Sequence, residues 1–130
     1  MEKSLREKIG KALEKAEQKL NTAEQLLDTG AHDDAISRAY YSMFHAVSAL
    51  LMLKALETRT HSGLVNLFGQ HFVNTGEFEP KFGRMLSESK ELRENGDYEI
   101  FFSGTKEEAE LTINNAKELF AEVSKYIQTR

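Results

Sequence analysis

The chain has 130 residues with a formal net charge of −4, 40% hydrophobic and 29% charged residues. That length suits one domain and one core, and that balance suits a soluble globular fold rather than a basic nucleic-acid coat. The absence of cysteine excludes a disulfide framework and a thiolate metal site.

The first 32 residues hold six basic and six acidic side chains. Leu5, Ile9, Ala12, Leu13, Ala16, Leu20, Ala23 and Leu27 recur at helical spacing, which predicts a first helix from Ser4 to Thr29. Gly30 is a natural stop. The charged start, MEKSLREKIGK, has no signal-peptide core, so a cytoplasmic location is expected. Ala31 and His32 form a short turn, and Asp33 is placed to cap a second helix antiparallel to the first.

That second helix, Asp33 to Lys54, is apolar around most of its circumference. From Ala35 to Leu53 its only full charge is Arg38 and its only titratable ring is His45. Ile36, Tyr40, Met43, Val47, Leu50 and Leu51 form the main stripe, and Arg38, Tyr41 and His45 lie together on the opposite face. Two packed faces are expected, one toward the bundle and one toward a cleft or second subunit. A sequestered Arg38 needs a carboxylate or a bound anion.

Thr60 is placed to cap a third helix, His61 to Asn74. Pro80 suits the first turn of a fourth, which continues through Phe82, Met85, Leu86, Ser89 and Leu92 to Gly96. Gly63, Gly69 and Gly83 mark this middle pair as soft or as a place of close backbone approach. Residues 97–104, DYEIFFSG, read as a loop whose Phe101 and Phe102 plug a bundle end, meet a partner or stack bases. Thr105 and Glu108 form a capping box for a last helix reaching Gln128. Ala109, Ile113, Ala116, Phe120, Val123 and Ile127 face inward there, and Leu111, Leu119 and Tyr126 widen the stripe. The fold class is all-α, an up-and-down bundle of four to five helices in one domain spanning 1–130. No segment is apolar enough to span a membrane.

Three islands hold the unusual polar residues: Arg38, Tyr41 and His45, with Asp34 a turn earlier; His61 at a helix start; and Arg93, Asp97 and Tyr98 where the fourth helix ends. If they converge, Arg offers a planar fork of donors and the helix start favours an anion, so the functional reading is a phosphate-recognising pocket. The structural alternative has Arg38 tied to Asp34 or Asp97 and the rings satisfying buried groups. The four histidines, at 32, 45, 61 and 71, lack metal-ligand spacing, so no metal and no cofactor is expected. No P-loop, GxGxxG or nucleophile elbow occurs.

SRAYYSMFHAVSALL at 37–51, THSGLVNLF at 60–68 and LRENGDY at 92–98 together resemble the HEPN ("higher eukaryotes and prokaryotes nucleotide-binding") family, in its small single-domain branch. The resemblance implies a helical bundle that usually forms a homodimer and often accompanies a minimal nucleotidyltransferase in toxin–antitoxin-like modules. In many members it implies metal-independent RNA cleavage by an Arg followed, four to six residues on, by a His. Arg93 matches the Arg, but Tyr98, Glu99 and Ile100 occupy the places of the His. Cleavage would then need His45 or His61 in the Arg93 pocket, since a His titrates near neutral pH and a Tyr does not. The resulting expectation is a nucleotide- or RNA-phosphate-binding module, or a nucleotidyltransferase partner. Arg38 and Arg93 hold the anion or pair with Asp97, Tyr41 and His45 shape the site, His61 donates, and Tyr98 closes the edge. A metal-independent RNase and a purely structural dimerisation domain are the alternatives.

Overall fold

Helical periodicity governs the chain from end to end. The computed structural model describes residues 1–101 and 103–130, and among these no strand occurs. Five α-helices follow in order: α1 Lys3–Asp28, α2 His32–Met52, α3 His61–Phe68, α4 Pro80–Tyr98 and α5 Lys106–Gln128. A π turn, Gly69–Val73, follows α3 directly. The third helix therefore stops short of Asn74 as an α-helix, and its last turn widens at Gly69.

α2 is the central helix. It packs against α1, α3, α4 and α5, and α1 also meets α5. Its main stripe, Ile36, Tyr40, Met43, Val47, Leu50 and Leu51, is buried, as are the small residues Ala35, Ala39, Ala46 and Ala49. Four helices of the same chain thus cover most of the apolar girth, and a strip with Arg38, Tyr41, Phe44 and His45 stays partly exposed.

Local chemistry differs from the expectation at the start of α2 and matches it at α3 and α5. α2 begins at His32, and Asp33 does not cap it. Asp33 Oδ1 instead accepts the Gly104 N–H at 2.6 Å, tying the α4–α5 loop to the start of α2. A Cβ at Gly104 would lie 2.6 Å from that carboxylate oxygen and 2.7 Å from Ile36 Cδ1, so a larger residue would have to displace those side-chain ends. Thr60 caps α3 as expected, its hydroxyl accepting the Gly63 N–H at 2.9 Å. A Cβ at Gly63 would collide with the Thr58 and Thr60 hydroxyls, so this glycine marks a close approach. The capping box of Thr105 and Glu108 is complete.

Three further expectations give way. α4 runs two residues past Gly96 and ends at Tyr98. Phe101 is fully exposed and plugs nothing; Phe102 lies outside the described residues. Leu111 is an exposed apolar residue of α5 rather than part of its inward stripe.

At the far end of α2, Phe68, Phe72, Phe78 and Phe82 pack edge-to-face and stacked with Tyr126 of α5. Lys54 lies over the Phe72 ring, 4.2 Å from its centroid. Its ammonium donates to Glu77 at 2.6 Å and to the His71 carbonyl at 2.5 Å. The Tyr126 hydroxyl donates to the other Glu77 oxygen. Hydrogen bonds from Lys54 and Tyr126 hold the Glu77 carboxyl down at about 2, against an ordinary 4.5.

Candidate phosphate-binding site

Arg93 is the buried arginine of this fold. It is 7% exposed, on the inner side of α4 against α2 and α3. Its guanidinium carbon lies 5.3 Å from the Tyr40 ring centroid and 5.5 Å from that of Tyr41. Such placement suits a delocalised cation, which stacks on aromatic faces and is more weakly hydrated than an ammonium. Nη1 donates to Asp97 Oδ2 at 3.0 Å, one helical turn on, and lies 3.5 Å from the Tyr41 hydroxyl. Nη2 stands 3.9 Å from Glu94, which is engaged by Lys90 at 2.7 Å. Nε is buried and has no hydrogen-bond partner.

His61, the first residue of α3, completes the pocket. Its ring lies 5.6 Å from Tyr40, 5.8 Å from Tyr41 and 4.9 Å from Phe44. The Tyr40 hydroxyl is 2.7 Å from His61 Nδ1. Burial pushes the Tyr40 phenol well above its usual range, only partly offset by Arg93. The phenol therefore keeps its proton; with the phenol as donor to Nδ1, a neutral imidazole carries its own proton on Nε2. Burial, Arg93 and Lys90 together lower the His61 pKa, with Glu94 opposing them, so the neutral ring prevails at pH 7. The cluster thus holds two donors without partners among the described residues: the buried Nε–H of Arg93 and, in that tautomer, the Nε2–H of His61.

The sequence-predicted residues divide cleanly. Tyr41, His61, Arg93 and Asp97 come together. Arg38 does not: it is exposed and makes no ion pair or side-chain hydrogen bond among the described residues, neither with Asp34 nor with Asp97. Its face of α2 is the one that no other helix covers. His45 also stands apart, on the far side of Phe44, its ring 5.6 Å from that of Phe44. Its pKa is lowered by burial and by Lys15 and Lys19 of α1, not by Arg93. Tyr98 is 77% exposed and points away from the pocket's interior. Sequence reasoning missed Tyr40, because its position in the apolar stripe masked a hydroxyl that, once buried, needs a partner. Lys90 and Glu94 were missed as ordinary helix-surface charges. Among the described residues no three His, Asp or Glu gather as a metal site would, and no helix is long and apolar enough to cross a membrane.

The sequence model of the HEPN domain family matches residues 9–126. The chain is 37% identical to "Putative toxin MJ0605" of Methanocaldococcus jannaschii over 128 residues, covering 98% of this chain and 95% of that protein. It is 33% identical to "Putative toxin MJ0142" of the same organism over 127 residues, 98% of this chain and 86% of that protein. It is 46% identical over 84 residues to "UPF0332 protein PH1297" of Pyrococcus horikoshii, 65% of this chain and 59% of that protein. The chain belongs to the HEPN domain family.

Proposed function

We propose that this chain is the toxin-type component of a toxin–antitoxin module and that its Arg93 pocket binds a phosphate of RNA or of a nucleotide. The observation that carries the reading is the state of Arg93: buried, neutralised by one carboxylate at the mouth, and left with an unengaged Nε–H. A phosphate entering there takes two or more guanidinium donors at once, the geometry for which Arg is suited. His61 adds its Nε2–H and the Tyr41 hydroxyl sits at the edge. Asp97 is the internal stand-in that the phosphate displaces. Arg38, on the same outward face as Tyr41, adds a contact at the rim.

The names of the two Methanocaldococcus relatives support the toxin-type role. The partner expected for such a module is a minimal nucleotidyltransferase. Tyr98, Ile100 and Phe101, all highly exposed, form the apolar edge offered to it. A homodimer is the competing occupant, and sedimentation of the chain alone decides between them.

Metal-independent RNA cleavage is the second reading, favoured by one observation: His61, from another helix, packs on Tyr41 beside Arg93 and offers a histidine that the Arg–His pattern lacks. The Tyr40 hydrogen bond argues for binding over cleavage, because it occupies Nδ1 and leaves Nε2 as a donor rather than a base. The test pairs titration with uridine monophosphate and an RNA cleavage assay in chelator, using wild type, R93M, H61A and H45A. Binding lost in R93M with no cleavage by wild type supports the module. Cleavage that H61A abolishes and H45A spares establishes the RNase. Nucleotide binding undiminished in R93M overturns the site.

A further inference from the structure

α1 carries a lysine-rich face. At 100° per residue, Lys8, Lys11, Lys15 and Lys19 fall in one sector of about 80°, on the side of α2. A second sector mixes signs: Glu7, Glu17 and Glu24 lie there with Lys3 and Arg6, and Glu24 meets Lys117 of α5 at 3.1 Å; Glu14 lines grooves beside both sectors. None of the four lysines has an ion-pair partner among the described residues. Like charges repeated at i, i+4 destabilise a helix, so folding alone does not account for this stripe in a chain of net charge −4.

The stripe faces an open groove of about 570 Å³ between α1 and α2, where Lys8, Lys15 and Gln18 stand opposite His45 and Ser48. Glu14 is the single carboxylate among the residues that line it. From His45 a row of partly exposed rings crosses the outward side of α2: Phe44 at 5.6 Å from His45, then Tyr41 at 6.2 Å and His61 at 4.9 Å from Phe44. Beyond Tyr41 lies Arg93. Cations therefore stand at both ends of an aromatic row.

We propose that this is one path for a single-stranded nucleic acid, its backbone along the α1 lysines and its bases against His45, Phe44 and Tyr41. Its Arg93 end rests on the phosphate reading above; the α1 half stands without it. A cationic track beside sequence-tolerant ring faces is how single strands are held. An acidic peptide uses the lysines but has no use for the rings. Lysines four apart recur about every 6 Å of helix axis, a spacing that lets successive ammonium groups meet successive phosphates of an extended strand.

The test is fluorescence anisotropy of the whole chain with a short labelled oligouridylate across a salt series. Wild type is compared with the double variant K11E/K15E and with a charge-matched control on α5, K106E/K125E. The expected result is affinity roughly tenfold or more weaker for the α1 variant, with a salt slope lower by about 1.4 for two lost single-strand phosphate contacts. The control stays close to wild type, and uridine monophosphate binds all three alike. Equal loss in both variants, or competition by poly-glutamate as strong as by unlabelled RNA, overturns the proposal and in the latter case makes the stripe a protein-docking surface. If the monophosphate fails to bind wild type while the oligomer still depends on Lys11 and Lys15, the α1 track stands and the Arg93 reading falls.

Discussion

Among the cations that lie over aromatic rings in this molecule, Lys54 and Arg93 differ in how completely the charge is answered. At one end of α2, Lys54 covers Phe72, and its ammonium has a carboxylate and a carbonyl; that carboxylate in turn has Tyr126. Near the middle of α2 Arg93 covers Tyr40 and Tyr41, but five potential donors meet one close carboxylate, and Nε meets nothing among the described residues. The first cluster is closed and ties the α2 end, the π turn and α5 into one unit. The second leaves one buried N–H without a partner among the described residues. A fully compensated charge serves the fold, whereas a buried and under-compensated one calls for an explanation, which the proposed phosphate supplies.

The contrast is sharpest under truncation. F72A, emptying a fully buried aromatic site, should lower stability by about 3–5 kcal/mol. Y41A, at a half-buried position on the open cluster, should cost about 1–2 kcal/mol yet abolish phosphate binding. Chemical denaturation of the two variants reads this, and equal losses break the comparison. Next are the cations themselves. K54M should destabilise by about 1 kcal/mol, because Glu77 and the His71 carbonyl lose their donor. R93M removes only one partner of the pair, so it should cost about 1 kcal/mol, kept small because Asp97 is itself exposed to water, while nucleotide binding disappears.

Acid separates the clusters further. The folded pKa of Glu77 is depressed, so its contribution to stability is present above its ordinary 4.5 and lost as pH falls toward about 2. E77Q should flatten that part of the stability–pH profile, an effect of roughly 1 kcal/mol or less for so exposed a pair. The smallest expected effect is spectroscopic. With Arg93 gone, His61 loses a positive neighbour, so its pKa should rise toward 6.5 in R93M by proton NMR titration. The lowered folded pKa of His61 means that stability is full above 6.5 and declines below it; R93M should weaken that decline.

The helices and their inward faces were legible because burial follows the 3.6-residue period, and the stripe of α2 survives intact in the fold. Arg38 shows where that reading fails. A helical wheel tells which residues oppose the main stripe but not whether another helix covers them, and here α1, α3, α4 and α5 leave that one strip of α2 open. Arg93 is the converse case. Its surroundings, LRENGDY, look like a solvated helix end, and only packing of α4 against α2 and α3 buries it; the HEPN resemblance, not periodicity, singled it out. His61 and Tyr40 lie 21 residues apart and meet only through the α2–α3 turn. Asp33 was read as a local cap, but its partner is 71 residues away at Gly104, a contact that no local pattern encodes.

The central claim is that Arg93 waits, with a free donor, for a phosphate. The most direct measurement follows the Arg93 Nε–H resonance by ¹⁵N-edited NMR while uridine monophosphate is added to the wild-type chain. A saturable downfield shift of that proton, accompanied by the His61 Nε2–H, is the predicted result. An Arg93 Nε–H that stays unmoved at saturating nucleotide, while resonances elsewhere respond, would contradict it.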